Sequence, residues 1–264
     1  RGVKVFITLN TLYKENEIQK VLDFVEKVYS YGAYGLIVQD LGMVSLIKKY
    51  YPNIRISAST QITVHNSDAI DMLTEMGCSR IVLARDLGQK EITDICSKKG
   101  NTEIEGFIHG ALCVCYSGRC LMSSIIGQRS GNRGRCAQAC RMEYSLLKDD
   151  KTLKSGYLLS PKDISTAEIL DKVLATGIDS LKIEGRMKSP EYVYEVVSTY
   201  RKYVDEVTDK GTLTIDKEDI SNLTQIFNRG GSSSHGYYDT YSSLSMLSKS
   251  PKSSGVEIGV VTGY

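Results

Sequence analysis

The chain has 264 residues, of which 41% are hydrophobic and 24% are charged. These values are typical of a globular protein with one large domain or two ordinary ones. The formal net charge of +2 excludes a global basic field for nucleic acid, so any such binding depends on local patches. No apolar run approaches the roughly 20 residues needed to cross a bilayer, and we expect a cytoplasmic protein without a membrane partner.

Short β-branched runs alternate with helical patterns along most of the chain, which is typical of βα units and a parallel sheet. The predicted strands cover residues 3–9, 35–39, 55–59, 80–84, 103–108 and 180–184. The predicted helices cover residues 15–30, 42–50, 67–76, 87–98, 165–175, 190–206 and 216–227.

The connections are short, and no glycine-rich dinucleotide turn follows any predicted strand. These features favour the α/β class with an incomplete TIM-type (β/α)8 barrel of about six parallel strands. Eight strands close such a barrel, so we expect two βα units upstream of residue 1. A second copy of the chain is one candidate for covering the exposed strand edges, which would make a homo-oligomer.

We expect residues 1–230 to form the truncated barrel, with a cysteine-rich insertion and a hairpin at 110–157. The hairpin is predicted at 144–148, with a turn at Asp149, Asp150 and Lys151 and a return near Leu153. Residues 231–264 are rich in serine and glycine and predict an extended tail or linker. Its last residues resemble the first strand of a β domain that the chain does not complete.

The insertion contains five arginines and no lysine, aspartate or glutamate between Cys113 and Arg141. Setting Cys115 aside, its thiols follow the order Cys113, six residues, Cys120, fifteen residues, Cys136, three residues and Cys140. Four thiolates from one loop can hold zinc or an iron–sulfur cluster. The arginines would offset the thiolate charge, and any surplus could attract an anionic substrate.

Other interpretations of the cysteines are open. A disulfide framework suits small secreted domains, whereas this chain is long enough for a core without one. A nucleophilic Cys113 paired with His109 would leave the other loop thiols unexplained. The isolated Cys78 and Cys96 are interpreted as core residues.

Polar residues follow the predicted strands, where the carboxyl ends of a parallel barrel form an active site. His109 follows the fifth strand and is a candidate for substrate or cluster contact. Lys182 and Arg186 flank Glu184, which predicts an anion site with a carboxylate for orientation or proton transfer, or else an ion-pair network. The remaining candidates are Asp40 for catalysis and Asn10, Gln61, Arg85 and Arg133 for substrate binding. A helix cap is the alternative for Asp40.

Common hydrolase motifs are absent from the sequence. It has no legible Ser-His-Asp order, no G-x-S-x-G elbow and no H-E-x-x-H helix. A protease built on this chain would therefore lack a recognisable nucleophile or zinc site.

Residues 105–124 read E-G-F-I-H-G-A-L-C-V-C-Y-S-G-R-C-L-M-S-S, and residues 132–141 read N-R-G-R-C-A-Q-A-C-R. These segments resemble the collagenase-like proteins of peptidase family U32. Further similar segments are I-T-L-N at 7–10, I-V-Q-D at 37–40, A-S-T-Q at 58–61, L-L-S-P-K-D at 158–163, K-I-E-G-R at 182–186 and F-N-R-G at 227–230. Family members begin with two further βα units and often end in a small β domain, as expected here.

The family name implies proteolysis, whereas other members are hydroxylases that act without molecular oxygen on tRNA, ribosomal RNA or ubiquinone precursors. Those enzymes resemble this chain in a four-cysteine iron–sulfur site, and the RNA-modifying members depend on prephenate. The resemblance implies that Cys113, Cys120, Cys136 and Cys140 bind a four-iron four-sulfur (4Fe-4S) cluster, with zinc as the metal of an aerobically purified form. Cys115 departs from the family pattern and is an alternative to Cys113.

The resemblance favours prephenate-dependent hydroxylation of a tRNA base, with tRNA or rRNA and prephenate as partners. Lys182 and Arg186, near Arg85 and the loop arginines, would bind the carboxylates of prephenate. A collagenase-like peptidase is the alternative enzyme. A zinc-stabilised RNA-binding scaffold without chemistry is the alternative that is not an enzyme.

Overall fold

A computed structural model of the chain describes residues 2–234 and 250–254. These residues form two compact units. The first contains residues up to 106, residues 115–139 and residues 176–181, and the second contains residues 107–114, 140–175 and the described residues from 182 onward. Within the described ranges, no helix combines the length and the apolar character required to span a membrane.

The described strands are β1 (Phe6–Leu9), β2 (Gly35–Val38), β3 (Arg55–Ala58), β4 (Arg80–Val82), β5 (Glu103–Ala111), β6 (Tyr144–Lys148), β7 (Lys151–Gly156), β8 (Asp163–Ser165), β9 (Ser180–Ile183) and β10 (Ser232–Ser233). The α-helices are α1 (Ile18–Ser30), α2 (Leu41–Tyr50), α3 (Ser67–Glu75), α4 (Gln89–Cys96), α5 (Met122–Gly127), α6 (Leu170–Leu174), α7 (Pro190–Lys210) and α8 (Lys217–Ile226). Every predicted strand and helix is present, with ends shifted by a few residues.

The first unit is a parallel sheet in which each strand pairs with the next one along the chain. β1 pairs with β2, β2 with β3, β3 with β4, and β4 with the start of β5. Leu36, Ile56 and Ile81 on neighbouring strands are completely buried. Parallel neighbours need a crossover connection, and the helices between these strands supply it. The α/β class and the mainly parallel sheet are confirmed, while the barrel stays a prediction.

The second unit contains an antiparallel strand that we did not predict. β8 pairs antiparallel with residues 109–111 of β5, and β10 pairs parallel with β8. The prediction of a helix from residue 165 is therefore wrong at its start, because Ser165 lies in β8 and helical turns begin at Ala167. Three residues are too few to show a strand period. Pairing with β5, which buries Ile164, decides their conformation.

The strands β6 and β7 form the predicted hairpin. Asp149 and Asp150 between them have φ angles of 49° and 60°. Positive φ at both central residues matches a two-residue type I′ turn, and aspartate adopts this conformation more readily than most residues. The predicted position of the hairpin is confirmed.

Part of the predicted C-terminal tail is folded back onto the second unit. The Ser254 N–H donates to the Asn228 carbonyl oxygen at 2.9 Å, and the Gly230 N–H donates to Ser254 Oγ at 2.9 Å. Residues 250–254 are therefore not part of an extended linker. The predicted strand at the C-terminal end of the sequence lies outside the described residues.

The cysteine-rich loop is anchored in the first unit at Ser117 and Gly118. Ser117 Oγ accepts hydrogen bonds from Arg85 Nε at 3.1 Å and Nη2 at 3.0 Å. Gly118 has a φ of 74°, and a β-carbon at this position would collide with the Gln61 carbonyl oxygen. Glycine fits because it tolerates positive φ and has no side chain to clash with the backbone.

We therefore predict that Gly118→Ala lowers the free energy of unfolding by about 3 kcal/mol, from backbone strain and steric overlap. Urea unfolding of the full-length protein measures this change. The matched control is Gly127→Ala at the end of α5, where a β-carbon meets no atom within 4 Å. That variant should be as stable as the parent or more stable by up to about 1 kcal/mol. Equal stability of the two variants would contradict the prediction.

Candidate functional site

All seven cysteines lie within the described residues, and none of them forms a disulfide bond. Burial raises the pKa of Cys78 to about 11 and also raises the pKa of Cys96. Both thiols therefore stay protonated and unreactive at neutral pH. Their interpretation as core residues is confirmed, and the structure does not contain the alternative disulfide framework.

The loop cysteines are divided between the two units. Cys115, Cys120 and Cys136 belong to the first unit, and Cys113 and Cys140 belong to the second. Cys136 is exposed and the other four are half-buried. Among the residues that the structure describes, no group of three or more His, Cys, Asp or Glu side chains is arranged to hold a metal ion. The four-cysteine ligand set therefore stays a prediction.

The chemistry of these thiols fits an iron–sulfur cluster. They form no disulfide bonds and are at least partly accessible, and cysteine sulfur is the usual ligand of such clusters. The Gln138 N–H donates to Cys136 Sγ at 3.3 Å, and hydrogen bonds to sulfur tune the reduction potentials of clusters.

Arg141 fastens the two ends of the loop in the second unit. Its Nη2 donates to the Leu112 carbonyl oxygen at 2.9 Å, and its Nη1 donates to Ser160 Oγ at 2.8 Å. Leu112 precedes Cys113, and Arg141 follows Cys140. One guanidinium group therefore holds the backbone beside Cys113 close to the backbone beside Cys140.

Two further cations lie in the second unit around a buried carboxylate. Arg229 Nη1 forms an ion pair with Asp163 Oδ1, and these side chains are only 11% and 5% exposed. Lys188 Nζ lies over the Phe227 ring and 5.3 Å from the centroid of the Tyr192 ring. The Arg229 guanidinium lies 4.8 Å from the centroid of the same Phe227 ring. Lys188 and Arg229 therefore share an aromatic contact surface.

Burial disfavours the protonated forms of Lys188 and Arg141. It lowers the pKa of Lys188 to about 8, a shift that Asp163 opposes by attraction and Arg229 increases by repulsion. Burial also lowers the pKa of Arg141, and repulsion from Arg229 adds to this shift. Within the described residues, Lys188 Nζ has no hydrogen bond and no ion pair.

His109 is a buried, neutral side chain. Its Nδ1 lies 3.3 Å from the Tyr200 hydroxyl oxygen. Burial, and next the charge of Lys188, lowers the pKa of His109 to about 4. A general base works best with a pKa near the reaction pH, so His109 is poorly matched to that role. No hydrogen bond joins it to Cys113 in the described part of the chain, and the thiol-dyad alternative gains no support.

The candidates around Glu184 make different contacts. Glu184 Oε1 accepts a hydrogen bond from the Arg186 backbone N–H at 3.1 Å. The Arg186 side chain is exposed, and Lys182 Nζ lies 5.4 Å from the centroid of the Phe107 ring. Among the described residues, no ion pair links Glu184 to either cation. Their roles in anion binding and proton transfer stay predictions.

Asp40 caps the helix that follows it. Its Oδ1 accepts a hydrogen bond from the Met43 N–H at 3.0 Å at the start of α2, and its Oδ2 accepts one from the Tyr13 N–H at 3.1 Å. The capping alternative is therefore confirmed. Because both oxygens bind backbone groups, the catalytic role predicted for Asp40 is not needed to explain the residue.

The other candidates of the first unit differ in what they bind. Arg85 makes the two loop contacts described above, and Arg133 donates to both carboxylate oxygens of Glu17 at 2.6 and 2.5 Å. The hydrogen bond from Arg133 is the main reason that the pKa of Glu17 falls to about 2. Asn10 is half-buried. Gln61 Oε1 is buried without a hydrogen-bond partner in the described residues, so this acceptor is available to a ligand.

The sequence analysis missed the grouping of Asp163, Lys188 and Arg229. Asp163 ends the segment L-L-S-P-K-D, and Arg229 belongs to F-N-R-G, so both were already in the segments similar to U32 proteins. Lys188 had no such signal. The group depends on β8, the strand that the sequence did not predict.

Comparison with known proteins matches residues 1–246 to the family described as Peptidase family U32. The tRNA hydroxylation protein P1 of Bacillus subtilis is 37% identical over 237 residues, covering 86% of this chain and 56% of the relative. The 23S rRNA 5-hydroxycytidine C2501 synthase of Escherichia coli is 40% identical over 212 residues, covering 79% and 32%. A protein named Collagenase from Porphyromonas gingivalis is 31% identical over 248 residues, covering 87% and 58%.

The chain thus spans between about a third and somewhat more than half of the length of these relatives. The family match covers most of the chain, including Lys188, Arg229 and the cysteine-rich loop. The chain belongs to peptidase family U32.

Proposed function

We propose that the protein is an RNA hydroxylase of the cytoplasm that modifies a tRNA base without molecular oxygen, with prephenate as co-substrate. The proposal is carried by the loop, which keeps cysteines without disulfide bonds at all four predicted ligand positions in a chain similar to proteins named for tRNA and rRNA hydroxylation. Cys113, Cys120, Cys136 and Cys140 would hold a 4Fe-4S cluster. When bound, such a cluster supplies one-electron redox chemistry.

The loop also offers positive charge to RNA. Arg119, Arg129 and Arg135 are exposed, and none of them has an ion pair with a carboxylate in the described residues. Tyr116, whose carbonyl oxygen accepts a hydrogen bond from the Arg119 N–H, is 57% exposed. Unpaired arginines neutralise phosphates, and an exposed aromatic ring can stack on an unpaired base. This surface therefore suits single-stranded RNA, such as a tRNA loop.

A collagenase-like peptidase is the second candidate, and the name of one relative favours it. Peptide hydrolysis needs an activated nucleophile or an activated water. His109 is neutral and its ring contacts Tyr200, and within the described residues no histidine is hydrogen-bonded to a thiol. The side-chain contacts therefore support the hydroxylase better.

The direct test uses the full-length, cluster-loaded protein under anaerobic conditions with prephenate and unmodified tRNA. We expect mass spectrometry of the nucleosides to detect one base that has gained an oxygen atom, while collagen peptides added in parallel stay intact. Cleaved peptides without an oxidised nucleoside would support the peptidase. RNA binding by a zinc form without either product would support the scaffold.

A second prediction concerns the ligands. Serine at Cys113, Cys120, Cys136 or Cys140 should abolish the cluster absorbance and reduce bound iron and sulfide, because a hydroxyl is a poor ligand for soft metals. Cys78→Ala is the control and should keep the cluster. The variant Cys115→Ser tests whether Cys115 or Cys113 is the ligand. Cluster loss in that variant but not in Cys113→Ser would move the site to Cys115, and a cluster retained in all variants would contradict the ligand set.

A third prediction concerns RNA binding. Replacing Arg119, Arg129 and Arg135 together with glutamine should reduce the slope of log affinity against log salt concentration by about 2, since each lost contact to single-stranded RNA removes about 0.7. The matched control replaces three exposed lysines of the hairpin with glutamine in the same way, namely Lys148, Lys151 and Lys154. An equal loss of slope in both triple variants would attribute the effect to net charge rather than to the loop.

A further inference from the structure

Three cations of the second unit, Arg141, Lys188 and Arg229, form what we call the cation cluster. Lys188 and Arg229 contact the same Phe227 ring, and burial together with repulsion from Arg229 and Arg141 lowers the pKa of Lys188. Asp163 forms an ion pair with Arg229, and Asp163 and Glu184 both attract Lys188. Two carboxylates do not balance three cations, and a surplus of positive charge in a partly buried place favours an anion.

Lys188 carries this surplus most clearly. Its Nζ contacts the rings of Phe227 and Tyr192, and no hydrogen-bond acceptor or carboxylate within the described residues binds it. Arg141, in contrast, donates to three protein oxygens. An ammonium group that is half-buried without an acceptor has lost water and gained only aromatic contacts. A ligand oxygen would restore the missing hydrogen bond.

We propose that the cation cluster and the rings of Phe227 and Tyr192 form a binding site for the carboxylate of a small organic acid, with Lys188 as its principal cation. The proposal rests on the proposed function, because the acid co-substrate is the ligand that the site would hold. The rings provide an apolar surface for the carbon skeleton of the acid. Ligand sites commonly combine such a surface with a few polar groups that fix orientation.

A small acid fits this position better than the RNA backbone does. The side chains of Arg229 and Asp163 are about nine-tenths buried, and Lys188 is half-buried. RNA phosphates lie on a bulky chain and are bound by exposed side chains, which the loop arginines provide.

We therefore expect the acid at the cation cluster rather than at Lys182 and Arg186. The Arg186 side chain is exposed, so its attraction for an anion is screened by water and salt. Lys188 and Arg229 share the Phe227 ring, which brings two cations to one place. Two cations over one ring suit a carboxylate on a hydrocarbon skeleton better than Lys182 over the Phe107 ring with an exposed Arg186 does.

Isothermal titration calorimetry of the full-length, cluster-loaded protein tests the proposal, with prephenate, malonate and inorganic phosphate as separate probes. Lys188→Met should weaken prephenate binding by about tenfold or more, as expected for a lost charge-assisted hydrogen bond. Lys188→Arg should retain most of the affinity. Lys172→Met, at an exposed position of α6, is the matched control and should bind like the parent.

The pH profile separates a binding cation from a structural one. Acid affinity should fall as the pH rises above about 8, because Lys188 then loses its proton, and this fall should disappear in Lys188→Arg. The groups that face Lys188 are Asp163, Glu184, Arg229, Arg141, His109 and Tyr192. The pKa of His109 is about 4 and that of Tyr192 is raised, so neither of these two titrates between pH 6 and pH 9.

Stability gives an independent readout. Folding lowers the pKa of Lys188, so the folded state disfavours its charged form at pH 7, and Lys188→Met should melt no lower than the parent. A clearly lower melting temperature with unchanged acid binding would make Lys188 a structural residue and overturn the proposal.

The remaining outcomes also decide the question. Unchanged prephenate affinity in Lys188→Met, or a loss confined to Lys182→Met and Arg186→Met, would overturn the proposal. Phosphate binding that depends on Lys188, without binding of either carboxylate, would overturn it in favour of a phosphate site. Malonate binding that depends on Lys188 without prephenate binding would support the carboxylate site and refute the prephenate part of the proposed function.

Discussion

The buried guanidinium of Arg141 is the interaction on which the second unit of this protein depends. Its acceptors are the carbonyl oxygens of Leu112 and Pro161 and the hydroxyl of Ser160, all of which are neutral. A buried cation is tolerated there because its donors are satisfied by hydrogen bonds, although its lowered pKa shows that dehydration is not fully offset. Lysine could not make these contacts, since only the planar fork of arginine reaches separated acceptors at once.

Five arginines in one loop have three different environments, which burial and binding partners distinguish. Arg141 and Arg133 are both half-buried, but Arg141 binds neutral oxygens and Arg133 pairs with Glu17. Arg119, Arg129 and Arg135 are exposed. The loop contains no carboxylate, so its own negative charge can come only from thiolates, and any other counter-charge has to come from elsewhere in the chain or from a ligand. The composition of the loop indicates a surplus of charge, but only the fold determines which arginines keep it.

The local order of the fold could be predicted from sequence, and its long-range pairings could not. Strand and helix periods identified the elements, and two aspartates in succession marked a turn that does have positive φ at both residues. The strand containing Asp163 was missed because it is only three residues long and is stabilised by pairing with β5. The carboxylate of Asp163 meets Arg229 from 66 positions away in the sequence. A separation of this size leaves no periodic signal, so the cation cluster could be found only in three dimensions.

Electrostatics also connects the cysteines of the second unit with the cation cluster. Cys140 and Cys113 act on Arg141 as negative charges when they are ionised, and thiolates at these positions would offset its charge. Arg229 already has Asp163 as its partner. Asp163 and Glu184 attract Lys188, but within the described residues neither carboxylate forms an ion pair with it. An acid and a pair of thiolates could therefore be accommodated together, because each would be drawn to a different cation, and their mutual repulsion would be reduced by the charges between them.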